Sequence, residues 1–357
     1  MLVVLVDFDT LIGMAQTPLE QGGRMFDPSG PHTARAVPEL SQRSSQRFQL
    51  LSLDGGGFKG MFAAVLLACL EADLGISVLD HFDLVAGTST GGIIALGLGA
   101  GLSPAEIVDF YVERGPAIFA HARARTLRRV LRSKYRAQPL RRALEEIFHD
   151  TTLGQSRVPL AIPAYDLCND AVHLFRTPHA PRLRRDRREL MVDVALATTA
   201  APTYLPAHQL RGLRLIDGGI WANNPTIIGI VEAVTTFGFD LADIRVFSLG
   251  TTIDTIKRPD RLDRGGLLPW AGDAIPVALR GQSLVADNHA KLLLGAENVL
   301  RVDPQVPARE LRLDGVNPER LRGRAEHCSR HISPTFQQRF VDHRPTPYTP
   351  QPEVIHA

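Results

Sequence analysis

Two short turns of the sequence carry side chains suited to nucleophilic attack and proton transfer. The stretch GTSTG at 87–91 has the form G-x-S-x-G, whose glycines allow a sharp turn that exposes the hydroxyl of Ser89. A hydroxyl is a weak nucleophile until a base accepts its proton. The strongest candidate for that base is Asp217, which ends an apolar stretch and is followed by two glycines. The pair predicts serine-based chemistry.

A third turn, DGGGFKG at 54–60, lies between two apolar runs. Unhindered backbone amides at the start of a helix form a site for negative charge. Gly55, Gly57 and Gly60 also fit the G-x-G-x-x-G fingerprint of dinucleotide-binding folds, so a nucleotide-dependent oxidoreductase is an alternative. Asp54 disfavours that alternative, because its charge at the mouth of the loop would oppose a pyrophosphate.

The segments around these turns alternate between strand-like and helix-like apolar patterns. Such alternation with short connections is typical of an α/β fold, with a mostly parallel central sheet flanked by helices on both faces in three layers. The predicted strands are Phe48–Leu53, Leu84–Ala86, Val158–Ala164, Leu213–Ile216 and Ile244–Leu249, and the predicted helices are Met61–Leu74, Thr90–Leu98, one starting at Ser103-Pro104, Val192–Ala201 and Pro225–Phe237.

The ends of the chain are less patterned than its centre. Residues 1–47 are rich in Gly, Pro, Ser and Gln after the first eight positions, so we expect a flexible leader. A catalytic core is predicted over 48–251. Periodic signals weaken in 252–343, which we interpret as a helical, regulatory extension of the same domain. Residues 344–357 are expected to form a flexible tail.

The composition of the 357 residues is that of a packed globular protein, with 44% hydrophobic and 22% charged residues. Cys69, Cys168 and Cys328 are scattered, which argues against a disulfide framework or a zinc site and fits a reducing cytosol. The sequence shows no metal-ligand cluster. No apolar stretch reaches the roughly 18 residues of a membrane span, so any membrane contact is expected to be peripheral.

Taken together, the three turns resemble the signature of the patatin-like phospholipases. That family has D-G-G-G-x-[KR]-G, G-x-S-x-G and D-G-[GA] in this order, and ATTAAPTYLPA at 197–207 is similar to its lead-in to the last motif. The resemblance covers about residues 48–251. It implies a phospholipase A-type hydrolase that cleaves acyl esters of membrane glycerolipids through an acyl-enzyme, without a metal or cofactor.

The resemblance also assigns roles to particular residues. Ser89 would be the nucleophile and Asp217 its partner, in a dyad without histidine. The backbone amides of Gly55, Gly56 and Gly57 would form the oxyanion hole. Lys59 stands where many members have arginine, and lacks the fixed fork of a guanidinium. The supporting residues of the motifs are Lys59, Gly60, Gly87, Gly91, Gly218 and Gly219.

Two other interpretations of the same residues stay open. An α/β-hydrolase triad would need a histidine after the acid, and His289, His327 and His331 all follow Asp217 in the chain. No glycine-flanked turn presents them, and their surroundings look like polar helix faces. A catalytically silent lipid-binding module is also conceivable, but it would leave the serine, the acid and the glycine turns unexplained.

Basic clusters indicate how the protein could meet lipid and ligand. The run 121–142 carries nine Arg or Lys residues and no acid, and Leu127, Val130, Leu131 and Tyr135 have roughly helical spacing. A cationic amphipathic helix could lie on an anionic membrane, while a solvated helix face or a lid is the alternative. RLRRDRRE at 182–189 is a second cluster or only a charged loop.

The resemblance extends to the phospholipase effectors of anti-phage systems, which cyclic dinucleotides activate. Arginine-rich pockets suit the phosphates of such a ligand. This implies a cytoplasmic protein that is peripheral at the inner membrane when active, with phospholipid as substrate, a cyclic dinucleotide as activator and no nucleic acid polymer as partner. A homo-oligomer is compatible with the sequence.

Overall fold

The computed structural model describes residues 47–118, 133–251, 253–254, 260–270, 272–306 and 318–349. By residue contacts the chain separates into Met1–Ser44 and Ser45–Ala357, and every described residue belongs to the second unit. Three predicted segments therefore lie wholly or mostly outside the described residues. They are the leader except for Arg47, the end of the tail from residue 350, and most of the cationic helix.

The predicted alternation of strands and helices is confirmed, with boundaries that mostly differ by a few residues. The strands are β1 (Phe48–Leu53), β2 (Leu84–Gly87), β3 (Leu160–Asp166), β4 (Ala171–Arg176), β5 (His208–Leu210), β6 (Leu213–Asp217), β7 (Ile244–Leu249), β8 (Ile253–Asp254), β9 (Val299–Val302) and β10 (Gln305–Val306). The α-helices are α1 (Met61–Leu74), α2 (Thr90–Ala100), α3 (Pro104–Ile118), α4 (Ala137–Phe148), α5 (Met191–Thr198), α6 (Gly219–Ala222), α7 (Thr226–Glu232), α8 (Leu267–Trp270), α9 (Ala274–Leu294) and α10 (Pro318–Phe340).

Local sequence signals explain several helix ends. Gly75 ends α1 in the left-handed conformation, with φ of 64°, and its N–H bonds back to the carbonyl of Glu71. At the start of α3, the Ser103 hydroxyl accepts the Glu106 N–H at 3.3 Å while the Glu106 carboxylate accepts the Ser103 N–H at 2.8 Å. This reciprocal pair is the predicted capping box.

An 8-stranded sheet forms the centre of the molecule, with strand order β5-β6-β3-β2-β1-β7-β9 and β4 paired to β3. The five strands β3, β2, β1, β7 and β9 run parallel to one another. Strands β4 and β6 run antiparallel to β3. The sheet is therefore mostly parallel, as predicted, with an antiparallel end. Strand β9 extends it beyond the predicted core into the C-terminal segment.

Successive residues of each strand point to opposite sides of the sheet, and helices cover both sides. Leu51 and Leu53 of β1 pack in a core with α1 to α5 and α10. Phe48 and Leu50 of the same strand pack in a second core with α7 and the end of α9. This arrangement gives the predicted three layers and holds the strand ends in fixed positions.

Candidate active site

The three predicted turns meet at one edge of the sheet. Strands β1 and β2 are parallel neighbours, so the glycine loop and the serine turn leave the sheet side by side, with Leu53 paired to Gly87. Strand β6 reaches the same place from the other direction, because it is antiparallel to β3 and pairs Asp217 with Ala164. Ala86 of β2 pairs with Ala161 of β3. Ser89 lies three residues after Ala86, and the partner of Asp217, Ala164, lies three residues after Ala161, so Ser89 and Asp217 lie at the same level of the sheet.

The serine turn is strained and tightly packed. Ser89 has φ of 54° and ψ of −121°, a conformation that a non-glycine residue rarely adopts, and it immediately precedes α2. A Cβ atom on Gly91 would lie 2.3 Å from the Leu53 carbonyl oxygen, so only glycine lets α2 approach β1 this closely. Gly87 ends β2 and faces the same turn. The strained backbone presents the serine side chain at the sheet edge, as in nucleophile elbows.

The serine and the aspartate are in direct contact. The Ser89 hydroxyl donates to Asp217 Oδ2 at 2.6 Å, and the Gly219 N–H donates to Asp217 Oδ1 at 2.7 Å. Gly218 lets the chain turn here, because a Cβ on it would lie 2.2 Å from the Pro163 carbonyl oxygen. Both carboxylate oxygens are thus held in place, with one aimed at the hydroxyl.

Burial makes Asp217 a stronger base than an ordinary aspartate. Only 6% of the residue is exposed, and this desolvation raises the pKa of its carboxyl to about 6, although the hydrogen bonds from Ser89 and Gly219 oppose the shift. A carboxylate with this pKa is still mostly ionised at pH 7 and accepts a proton more readily than one with a pKa near 4. The site therefore brings a serine hydroxyl against a carboxylate of raised basicity.

The candidate histidines do not bond to either residue within the described part of the chain. His289 is exposed on α9, and His327 and His331 contact each other at 3.2 Å on an exposed part of α10. The Asp217 carboxylate is already occupied by Ser89 and Gly219. The geometry thus favours a two-residue arrangement over a triad.

The glycine loop lies over the serine. A Cβ on Gly55 would come within 3.2 Å of Ser89 Cβ. The Gly55 N–H donates to the Asn223 carbonyl at 2.9 Å, and the Gly56 N–H donates to Thr90 Oγ1 at 3.2 Å. Gly57 has φ of 61°, and its amide bonds to no acceptor among the described residues. Of the three predicted oxyanion donors, Gly57 is therefore the one with a hydrogen left for a ligand.

The remaining residues of the glycine motif form a 3₁₀ turn that leads into α1. Lys59 and Gly60 belong to this turn, which spans Gly57–Gly60, and Lys59 is partly exposed. Gly60 packs against Thr90, the first residue of α2. The motif thus joins the loop to the helix that follows the serine.

A buried threonine that sequence reasoning missed fixes the serine turn. The Thr198 hydroxyl accepts the Ser89 N–H at 3.0 Å and donates to the Pro163 carbonyl at 2.7 Å. Just after it, the Ala200 carbonyl accepts the Asp217 N–H at 3.1 Å. The similarity of segment 197–207 to the family's lead-in was the available signal, since this segment bonds to both members of the pair.

The basic clusters are partly engaged within the fold. Tyr135, expected on a cationic helix, is buried before the start of α4 and stacks on Tyr204. Arg141 of α4 pairs with Asp193 at 3.1 Å. In the second cluster, Arg185 bonds to the buried Asp186. Leu127, Val130 and Leu131 lie outside the described residues, as does the helix predicted from them.

The parts of the chain described above contain neither a metal-binding cluster nor a membrane-spanning helix. No group of three or more His, Cys, Asp or Glu side chains there is placed to hold a metal ion. No helix there is both long and apolar enough to cross a bilayer.

A strained serine bonded to a buried aspartate at the edge of an α/β sheet is an arrangement suited to the chemistry of a serine hydrolase. The patatin-like phospholipase family matches residues 51–230. The chain belongs to this family, whose members hydrolyse lipid esters.

Similarity to individual proteins adds detail. A cGAMP-activated phospholipase of Pseudomonas aeruginosa is 37% identical over 72% of this chain and 78% of its own length. Another cGAMP-activated phospholipase, from Vibrio cholerae, is 30% identical over 80% of this chain and 90% of its own length. A patatin-like protein 2 of Oryza sativa is 35% identical over about half of each chain, 51% and 52%.

Proposed function

We propose that this lipid ester hydrolase cleaves acyl esters of membrane phospholipids by covalent catalysis at Ser89, with Asp217 as general base and acid. The 2.6 Å hydrogen bond from the Ser89 hydroxyl to Asp217 Oδ2 carries the proposal. It places the proton to be transferred and its acceptor in contact, which general base catalysis requires.

In the first half of the reaction the Ser89 oxygen attacks the ester carbonyl carbon and its proton moves to Asp217. The carbonyl electron pair moves onto oxygen, and the Gly57 amide would donate a hydrogen bond to it. When the tetrahedral intermediate collapses, the bond to the alcohol oxygen breaks and Asp217 returns the proton to that leaving group. A lysophospholipid departs and the acyl group stays on Ser89.

In the second half a water molecule takes the place of the alcohol. Asp217 accepts a proton from the water as its oxygen attacks the acyl carbon. Collapse of the second intermediate breaks the bond to Ser89, which recovers its proton from Asp217, and the fatty acid leaves. The Gly55 and Gly56 amides complete the proposed oxyanion hole if they turn from Asn223 and Thr90 toward the developing charge.

Fatty acid release from phospholipid vesicles tests this assignment. Ser89→Ala and Asp217→Asn are expected to lower the rate at least about a thousandfold, as the loss of a nucleophile or base does in other serine hydrolases. A matched control is Ser329→Ala, because the Ser329 hydroxyl also donates to an aspartate, Asp73, at 2.9 Å, but between α10 and α1. Equal losses in the control and the site variants would contradict the proposal.

The protein is also proposed to respond to a cyclic dinucleotide in anti-phage defence. The relatives from Pseudomonas aeruginosa and Vibrio cholerae are described as cGAMP-activated, and their similarity extends well beyond residues 51–230. A ligand activates an enzyme only when it binds the active state more tightly. Vesicle hydrolysis with cGAMP, other cyclic dinucleotides and linear dinucleotides should show a rate increase for a cyclic member. Equal rates throughout would contradict activation.

In the same proposal the protein is cytoplasmic and makes peripheral contact with the inner membrane when it is active. This contact is supported by the basic run 121–142, although Arg141 within it is already paired. Co-sedimentation should be stronger with anionic than with zwitterionic vesicles and should weaken with salt. Equal binding to both kinds of vesicle would contradict an electrostatic contact. The oxidoreductase alternative is disfavoured because Ser89 lies beneath the loop and residues 51–230 match a phospholipase family.

A further inference from the structure

A buried ion pair supports the glycine loop from the side opposite the serine. Asp54, the first residue of the loop, is 4% exposed, and its N–H continues the sheet by donating to the Leu249 carbonyl at 2.9 Å. Its carboxylate receives two hydrogen bonds from Arg301 of β9: Nη1 to Oδ1 at 2.8 Å and Nη2 to Oδ2 at 2.6 Å. Two parallel bonds of this kind fix the direction of both groups.

The guanidinium is held as firmly as the carboxylate. Arg301 Nη1 also donates to the Ser248 hydroxyl at 2.7 Å, and Nη2 donates to Asp303 at 3.0 Å. Asp303 in turn pairs with Arg280 at 3.0 Å, so two arginines and two aspartates form one chain of charges. The side chain of Arg301 is 9% exposed, and the neighbouring charges offset the cost of burying it.

This chain of charges connects the glycine loop to helix α9, which also contacts the aspartate turn. Arg280 lies on α9, and three residues later Ser283 accepts a hydrogen bond from Asn223 Nδ2 at 2.9 Å. Asn223 is the residue whose carbonyl accepts the Gly55 N–H. Helix α9 is therefore linked to both walls of the site: directly to the segment after Asp217, and through Asp303 and Arg301 to the glycine loop.

We propose that Arg301 is a positioning residue for catalysis: by clamping Asp54 at the start of the glycine loop, it sets where the loop amides point above Ser89. This inference rests on the proposed oxyanion role of the loop. Buried ion pairs add little net stability compared with apolar side chains of similar volume. The pair of Asp54 and Arg301 is therefore better explained by its effect on the direction of the loop than by stability. A small displacement of catalytic groups costs up to about 10²-fold in rate.

The proposal is tested on the full-length protein with Arg301→Met, Arg301→Lys and Arg280→Met. Arg176→Met is the matched control, because the partly buried Arg176 pairs with the buried Glu232 at 3.4 Å, at the far end of β4 from the site. Initial rates of fatty acid release give kcat and KM, and circular dichroism and thermal melting report folding. A fluorophosphonate probe measures the reactivity of Ser89 independently of lipid binding.

Arg301→Met is expected to lower kcat and probe reactivity by about 10²-fold with KM changed less than about threefold, as loss of an oriented donor does. Arg301→Lys keeps the charge but not the paired bonds, so an intermediate loss is expected. Arg280→Met should lower kcat and probe reactivity less than Arg301→Met does.

Wild-type kcat in folded Arg301→Met would overturn the proposal, as would an equal loss in Arg176→Met. If Arg301→Met does not fold, the comparison of Arg301→Lys with wild type decides, and an unchanged kcat refutes the role. A failure of the proposed function looks different. In that case fatty acid release from the wild-type protein would not depend on Ser89 in the first place.

Discussion

The substitution Asp217→Asn is predicted to stabilise the fold while it abolishes activity. Burial raises the pKa of this carboxyl from 3.8 to about 6, so between these pH values the folded protein binds a proton more tightly than the unfolded chain. The free energy of unfolding therefore falls as pH rises through this range. Two pH units correspond to about 3 kcal/mol at pH 7, which is the destabilisation caused by burying the ionised group.

Asparagine removes the charge and keeps the local bonding. Its side-chain carbonyl can accept the Gly219 N–H, and its amide can donate to the Ser89 oxygen. Urea unfolding at several pH values should show the variant to be more stable than wild type by up to about 3 kcal/mol at pH 7, and by less than about 1 kcal/mol near pH 4. Asp73→Asn is the control, because the Asp73 carboxylate also accepts a serine hydroxyl but belongs to an exposed residue. A gain of zero at pH 7, or a gain independent of pH, would refute the reasoning.

Further predictions concern the rate and the turns. The kcat for vesicle hydrolysis should fall about tenfold for each pH unit well below 6, as Asp217 becomes protonated, and a flat profile between pH 5 and 7 would contradict this. Thr198→Val removes the acceptor of the Ser89 N–H and should cost about 1–3 kcal/mol of stability, measured by urea unfolding. The same variant should lower kcat by a larger fraction than it lowers stability. Thr235→Val, which removes an exposed hydroxyl, should change neither quantity. Gly91→Ala should prevent stable folding, because its Cβ would lie 2.3 Å from a backbone oxygen of β1, and a soluble variant with wild-type melting would refute the packing argument.

The parts of the fold that local patterns determine were predictable from the sequence. Strands β1 and β7 and helix α1 have the predicted ends, because each is a mainly apolar run with a clear stop such as Gly75. The contact between Ser89 and Asp217 was also predicted, although 128 residues separate them. That prediction came from the order of three turn motifs, each of which requires particular glycines.

What the sequence did not reveal depends on distant partners. Strand β9 has only four residues, one of them an arginine, so its apolar signal is too short to stand out. Its Arg301 bonds to Asp54 at a separation of 247 residues. The role of Thr198 was hidden for the same reason, because a threonine at a helix end usually bonds locally. Helix α5 was predicted to reach Ala201 but ends at Thr198, since the following residues turn toward Asp217.

The most direct test of the account is to identify the residue that becomes acylated. The protein is mixed with phospholipid vesicles, quenched in acid within the first turnovers and digested, and the acyl-bearing peptide is sequenced by mass spectrometry. The account predicts a fatty acyl ester on Ser89 in the wild-type protein and none in Ser89→Ala or Asp217→Asn. An acyl group on another residue, or fatty acid release that persists at the wild-type rate in Ser89→Ala, would contradict it.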